Sequence, residues 1–127
     1  FTFSMHGERN FPFRKERSDL DIGLPDGLGD DAYLSLLTRH LDELLEKLQP
    51  DFVFYQAGVD VLETDRLGKL ALSKEGCRRR DELVLGRCRS AGIPIQISMG
   101  GGYSRHIKDI VDAHCQTFKT AARLFDY

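Results

Sequence analysis

Two apolar runs that stop abruptly at polar residues constrain the fold of this chain more than any other feature. Phe52-Val53-Phe54-Tyr55-Gln56-Ala57-Gly58-Val59 ends at Asp60, and Ile93-Pro94-Ile95-Gln96-Ile97-Ser98-Met99 ends at Gly100-Gly101-Gly102-Tyr103. Parallel strands buried on both faces read as continuous apolar runs, and open α/β sheets bind ligands beyond the carboxyl ends of their strands. A carboxylate at one such end and a glycine-hinged phenol at the other are therefore expected to form two walls of one pocket.

The segments around these runs read as helices. Asp30-Asp31 supplies an N-cap and an acidic first turn. Leu34, Leu37, Leu41, Leu44, Leu45 and Leu48 follow at helical spacing, a core-facing stripe that ends before Pro50. Ser73 caps a second helix running to Ser90, which Ala91-Gly92 closes. A third is expected after the glycines, with Ser104 as its cap and Ile107, Ile110, Val111, Phe118, Ala121 and Leu124 as its apolar positions. Phe1 to Met5 reads as the inside of an earlier strand, Asp21 to Leu24 as a short extended piece, and Pro25-Asp26-Gly27 as a turn. This alternation predicts an α/β fold with a parallel sheet and right-handed crossovers. Because the chain opens inside a strand, it is expected to be an excerpt of a longer domain.

Composition narrows the function. A formal charge of −2 and a pI near 6.1 provide no basic footprint for nucleic acid or an anionic membrane. Arg78-Arg79-Arg80, the one basic run, lies in the second helix and is expected on a solvated face. No apolar run reaches the roughly 20 residues that span a bilayer. Cys77, Cys88 and Cys115 are odd in number and lack metal-type spacing, which points to reduced thiols and a cytoplasmic location.

Asp60 is a candidate metal ligand, since hard oxygen donors bind divalent ions and strand ends hold them rigidly. An aspartate there can equally cap a helix or bond its own loop. The glycines before Tyr103 permit either an anion cradle at a helix N-terminus or a close approach that brings the phenol into the pocket, where it would donate to a developing oxyanion. Phe11-Pro12-Phe13, inside a charged loop, either pins that loop to the core or forms a pocket rim. The four histidines make no metal site among themselves; His106 and His114, eight apart on one helix, are too far apart to share an ion.

Several blocks, in order, resemble the zinc-dependent deacetylases: histone deacetylases, their bacterial relatives and the acetylpolyamine amidohydrolases. Thr2-Phe3-Ser4-Met5-His6 resembles the family's strand ending in Ser-x-His, and Phe11-Pro12 its Phe-Pro loop. Leu24-Pro25-Asp26-Gly27 through Asp31 resembles the turn entering its long helix. Gln56-Ala57-Gly58-Val59-Asp60, then Asp65-Arg66-Leu67-Gly68, resembles its Gly-x-Asp and Asp-Arg-Leu-Gly. Gly100-Gly101-Gly102-Tyr103 resembles its glycine-tyrosine turn.

The resemblance implies a three-layer αβα domain of the arginase/deacetylase type with a mainly parallel sheet. Residues 1–127 would form its C-terminal part, incomplete at the N-terminus. It implies zinc-dependent hydrolysis of the acetyl amide of acetyl-lysine or a related acylated amine. Asp60 would be one of three zinc ligands, with Fe2+ the alternative metal, and Tyr103 would hydrogen-bond the carbonyl and oxyanion. Phe11, Leu67, Gly101 and Gly102 would line the substrate channel. Ser4 and the Met5 carbonyl would hold a structural K+, with His6 outside the first metal shell.

The family's other two ligands and its paired catalytic histidines belong to segments upstream of the strand at Phe1. The isolated 127-residue chain is accordingly expected to be inactive, with an exposed apolar sheet edge. Two other readings stay open: a non-catalytic binding or assembly module on the same scaffold, and a small anion-binding domain using the glycine turn.

Overall fold

A computed structural model describes residues 1–126. The elements run β1 (Phe3–Gly7), β2 (Leu20–Leu24), α1 (Asp30–Leu48), β3 (Val53–Gly58), α2 (Lys74–Ser90), β4 (Ile95–Gly100) and α3 (Ile107–Phe125). The strands pair in parallel as expected, β1 with β2 and β3 with β4, as two separate two-stranded sheets. The extended piece at Asp21 to Leu24 is a full strand, its register setting Phe3 beside Leu20 and Gly7 beside Leu24.

One apolar core joins the two sheets. Leu24, Tyr33, Leu34 and Leu37 pack with Val59, Val61, Leu62, Leu70 and Leu72, and with Cys77, Val84 and Ala113 from α2 and α3. The segment between β3 and α2 contributes five buried aliphatic side chains (Val59, Val61, Leu62, Leu70 and Leu72), so this connection is a structural layer as much as a loop. It is tied down by main-chain bonds from Gly27 N to the Lys69 carbonyl (2.8 Å) and from Ala71 N to the Leu28 carbonyl (2.9 Å). Gly27 takes φ 77°, as the expected turn requires.

The first two helices depart from the sequence expectations in three places. The N-cap of α1 is Gly29 without a side-chain cap. Asp30 instead accepts from the backbone N–H (2.8 Å) and hydroxyl (2.6 Å) of Ser73, while the Ser73 hydroxyl accepts from Gly76 N, so one relay secures the starts of α1 and α2. The leucine stripe is core only in its first half: Leu44 and Leu45 are half-buried and Leu48 is exposed. The Arg78–Arg80 run is not a solvated face throughout, since Arg80 is only 4% exposed. Arg80 lies in the helical register of Cys77, Val84 and Cys88, all buried, and that register governs where it points.

β3 alternates, with Ala57 buried and Val53 and Tyr55 half-buried on its inner face. Phe52 and Phe54 project from the other face, their ring centroids 5.0 Å apart, and Phe54 is 79% exposed. The burial on both faces implied by the apolar run is therefore realised on one face among the described residues. No helix among them is long and apolar enough to cross a membrane.

Candidate active site

Asp60 lies two residues beyond the end of β3, between Val59 and Val61, whose buried side chains anchor the chain on either side. Glycines from three separate segments converge on it. A Cβ on Gly58, at the strand end, would stand 3.0 Å from Asp60 Oδ1. A Cβ on Gly68 would fall 1.6 Å from the Asp60 carbonyl oxygen, and one on Gly101 would fall 2.9 Å from Asp60 Cβ. Gly101 also takes φ 64°, so both space and backbone conformation demand glycine there. The same packing reaches β1, because a Cβ on Gly7 would meet the Gly68 carbonyl at 2.7 Å.

Burial raises the pKa of the Asp60 carboxyl above its ordinary value, and the negative charge of Asp65 adds to the effect; its own backbone N–H and the Arg80 charge only partly offset them. A half-buried carboxylate short of positive charge is suited to a cation. As one donor, Asp60 fits a divalent metal. No cluster of three His, Cys, Asp or Glu side chains able to hold such an ion occurs among the described residues.

Tyr103 does not open a helix. β4 continues through Gly100, α3 begins at Ile107 with His106 as its N-cap, and Tyr103 lies in the connection between them. Ser104, expected to cap α3, is buried instead, its hydroxyl 2.8 Å from that of Thr64. The glycine turn is thus separated from the helix N-terminus, which removes the geometry an anion cradle needs.

Asp65 joins the two halves of the site. Its Oδ1 accepts from Leu67 N and Gly68 N, both at 2.8 Å, and its Oδ2 accepts from Tyr103 N at 2.6 Å. The Tyr103 carbonyl in turn accepts from Arg66 Nε at 3.1 Å, and Asp65 and Ser104 form an antiparallel bridge. One carboxylate therefore fixes the loop that packs on Asp60 and the backbone that carries the phenol. The Tyr103 side chain is 56% exposed. Two cavities, of about 340 and 560 Å³, lie elsewhere, the larger beside Asp65, Arg66 and His106; neither is lined by Asp60 or Tyr103.

The other sequence candidates fall as follows. Leu67 is 43% exposed next to the Asp65 anchor, and Gly102 takes φ 114° against Ile110. Phe11 is 68% exposed and stacks edge-on with Phe13, ring centroids 6.2 Å apart. These rings do not pin their loop to the core. Buried Asn10 and the Lys15 ammonium, bonded to the Asn10 and Pro12 carbonyls, hold it. Ser4 and Met5 are half-buried in β1, with the Ser4 hydroxyl 2.8 Å from His6 Nδ1.

Sequence reasoning assigned no role to Asp65, Gly68, Arg80 or Asp81. Helical spacing from Cys77 to Val84 carried the signal for the last two; for Asp65, the only signal was its place in Asp-Arg-Leu-Gly.

Parallel strands alternating with helices, and a carboxylate and a tyrosine turn beyond two strand ends, define part of an α/β domain of the arginase/deacetylase type. Solved structures share this fold. An acetylpolyamine aminohydrolase from Burkholderia pseudomallei superposes with a TM-score of 0.78 at 22% identity, covering 96% of this chain and 37% of that one. A histone deacetylase homolog from Aquifex aeolicus gives 0.78 at 26% identity, covering 96% and 35%. A further homolog, solved in complex with SAHA, gives 0.75 at 25% identity, covering 99% and 39%.

The histone deacetylase domain model matches residues 1–118, and the chain belongs to that family. It is 52% identical over 125 residues to an uncharacterized protein of Picosynechococcus sp., covering 98% of this chain and 42% of that protein. To histone deacetylase 2 of Arabidopsis thaliana it is 33% identical over 108 residues, covering 83% and 28%. The chain thus spans less than half the length of these relatives.

Proposed function

We propose that this chain forms the C-terminal part of a deacetylase active site that hydrolyses the acetyl amide of acetyl-lysine or a related acylated amine. Asp60 is one ligand to a divalent metal, zinc or ferrous iron, and the remaining ligands come from other parts of the protein. When bound, the metal polarises the amide carbonyl and activates water. Tyr103 donates its phenolic hydrogen to the carbonyl oxygen as negative charge grows there, without adding charge of its own. Leu67 and Phe11 supply apolar contact to the acyl-amine stem, while Gly101 and Gly102 leave room beside the carboxylate. Ser4 and the Met5 carbonyl hold a structural K+ in β1. The protein acts in the cytoplasm.

The observation that carries this reading is the convergence of Gly58, Gly68 and Gly101 on Asp60, with Asp65 tying the Tyr103 backbone to the same loop. Assays with zinc on an acetyl-lysine peptide and an acetylated polyamine test it. In the full-length protein, Tyr103→Phe is expected to lower kcat by about two to three orders of magnitude with metal occupancy retained. Asp60→Ala is expected to lower both. Wild-type turnover in either variant refutes the role assigned to that residue, and absence of turnover in the wild-type full-length protein favours a non-catalytic binding module. Robust metal-dependent turnover by the isolated chain refutes the claim that its site is partial.

A further inference from the structure

Deep in the contact of α2 with β3 and α3 lies a polar network that the chemistry above does not use. Arg80 is 4% and Asp81 1% exposed. Asp81 Oδ1 accepts from Arg80 Nε (2.9 Å) and Nη2 (2.8 Å) and from the Tyr55 hydroxyl (2.6 Å), while its Oδ2 accepts from the Thr117 hydroxyl (2.6 Å). The guanidinium carbon lies 5.9 Å from the centroid of the Tyr55 ring. Burial pushes the Tyr55 phenol well up, keeping it a neutral donor. The carboxylate thus bonds to a strand and a helix besides its own, and the remaining prong of the guanidinium, Nη1, donates to the Gly58 carbonyl.

That last bond has a particular target. The Gly58 carbonyl and the Val59 N–H belong to one peptide plane. Its oxygen accepts from Arg80, and its N–H donates to the Gly100 carbonyl at 2.9 Å. Both ends of this peptide are therefore held, one by a helix and the other by the next strand. Asp60 follows immediately, with its Oδ1 3.0 Å from where a Cβ on Gly58 would stand. Buried ion pairs are poor sources of stability, and apolar replacements of similar volume are often as stable or more so. What an apolar substitute cannot supply is a fixed donor aimed at this carbonyl.

We infer that Arg80 and Asp81 form a buried positioning dyad, in which the carboxylate orients the guanidinium and the guanidinium fixes the Gly58–Val59 peptide that presents Asp60 to the site. The assignment of Asp60 as a ligand comes from the function proposed above; the clamping of the peptide does not depend on it.

The test is a variant that replaces the whole network by apolar groups, Arg80→Met/Asp81→Leu/Tyr55→Phe, in which Thr117 keeps its bond to the Ala113 carbonyl. In the full-length protein, amide hydrogen exchange at Val59 is expected to accelerate about tenfold or more, the scale of losing one tie on a local opening. The urea midpoint and exchange at Glu8, whose N–H is bonded to the Leu24 carbonyl, stay near wild type. In the full-length protein, kcat falls at least about tenfold with KM little changed, as for a group acting only through another. Arg80→Lys, which keeps the charge without the fork, falls between.

Unchanged Val59 exchange, or wild-type kcat in the apolar variant, overturns the inference. Should that variant not fold, Arg80→Lys decides it by the same exchange measurement. Absence of deacetylase activity in the wild-type full-length protein would sink the proposed function while leaving the exchange result intact, so the two failures separate.

Discussion

Asp65→Asn is a substitution of almost no volume whose effect should be large and confined to one side. Oδ1 already accepts from Leu67 N and Gly68 N, and an asparagine carbonyl can keep both bonds. Oδ2, 2.6 Å from Tyr103 N, becomes an amide donor facing another donor. A bond to a charged acceptor contributes about 1.5–3 kcal/mol. Asp65 is half-buried and Tyr103 exposed, so the lower end applies, about 1.5 kcal/mol for the lost bond. The two retained bonds weaken from charge-assisted to neutral, at about 0.5 kcal/mol in total.

The expected destabilisation is therefore about 2 kcal/mol, read as a shift of the urea midpoint at unchanged slope. Asp65→Ala, which loses all three bonds, should fall at least about 1 kcal/mol further. In the full-length protein Asp65→Asn should lower kcat, because the phenol loses its backbone tether while Leu67 and Gly68 keep theirs. If Asp65→Asn stays within about 0.5 kcal/mol of wild type, the ordinary range for a surface change, the carboxylate is not the strut between the two halves of the site.

Gly101→Ala should destabilise the chain and reduce metal-dependent activity together, since the new methyl would stand 2.9 Å from Asp60 Cβ at a φ of 64°; a variant with wild-type melting and activity would show that the close approach is not required. Asp60→Asn should raise the stability of the chain without added metal, because burial penalises the charged carboxylate and the isosteric amide removes that penalty; a lowered urea midpoint would contradict it. Asp19 has its carboxyl held below its ordinary value by bonds from the Thr2 N–H and hydroxyl. Its contribution is therefore present above pH 3.8 and is lost as the pH falls through the lower native value. Wild type should exceed Asp19→Asn in urea midpoint at neutral pH and converge with it in strong acid.

Much of the fold was legible because its cause is local. Ser73 caps α2 through a bond three residues away, and the helix ends at Ser90 as the following Ala91-Gly92 implied. Parallel pairing of β3 with β4 followed from the helix between them, whereas the pairing of β1 with β2, which no helix separates, did not. The misreadings have long-range causes. Ser104 resembles a cap in sequence, yet Thr64, 40 residues earlier, takes its hydroxyl. Three successive arginines suggest a wet face, yet one helical position among them points at Tyr55 and Gly58. Leu44, Leu45 and Leu48 keep the helical period, yet Leu44 and Leu45 are only half-buried and Leu48 is exposed, because burial is set by what packs on the helix and not by its period.

The residues that hold the candidate site together escaped notice for a physical reason. Asp65, Gly68 and Arg80 act on main-chain groups: a carboxylate on three N–H groups, an α-carbon against a carbonyl, a guanidinium on a carbonyl. Every residue type but proline offers the same peptide groups, so the partner leaves little trace in the sequence. A side chain suited to bind a metal or donate to a carbonyl declares itself by its own chemistry, which is how Asp60 and Tyr103 enter the proposed function. Asp65-Arg66-Leu67-Gly68 contains both kinds, with Leu67 exposed toward solvent while its neighbours grip the backbone. A substitution at Leu67 should therefore change what is bound, whereas one at Asp65 or Gly68 should change whether Asp60 and Tyr103 are held in register at all.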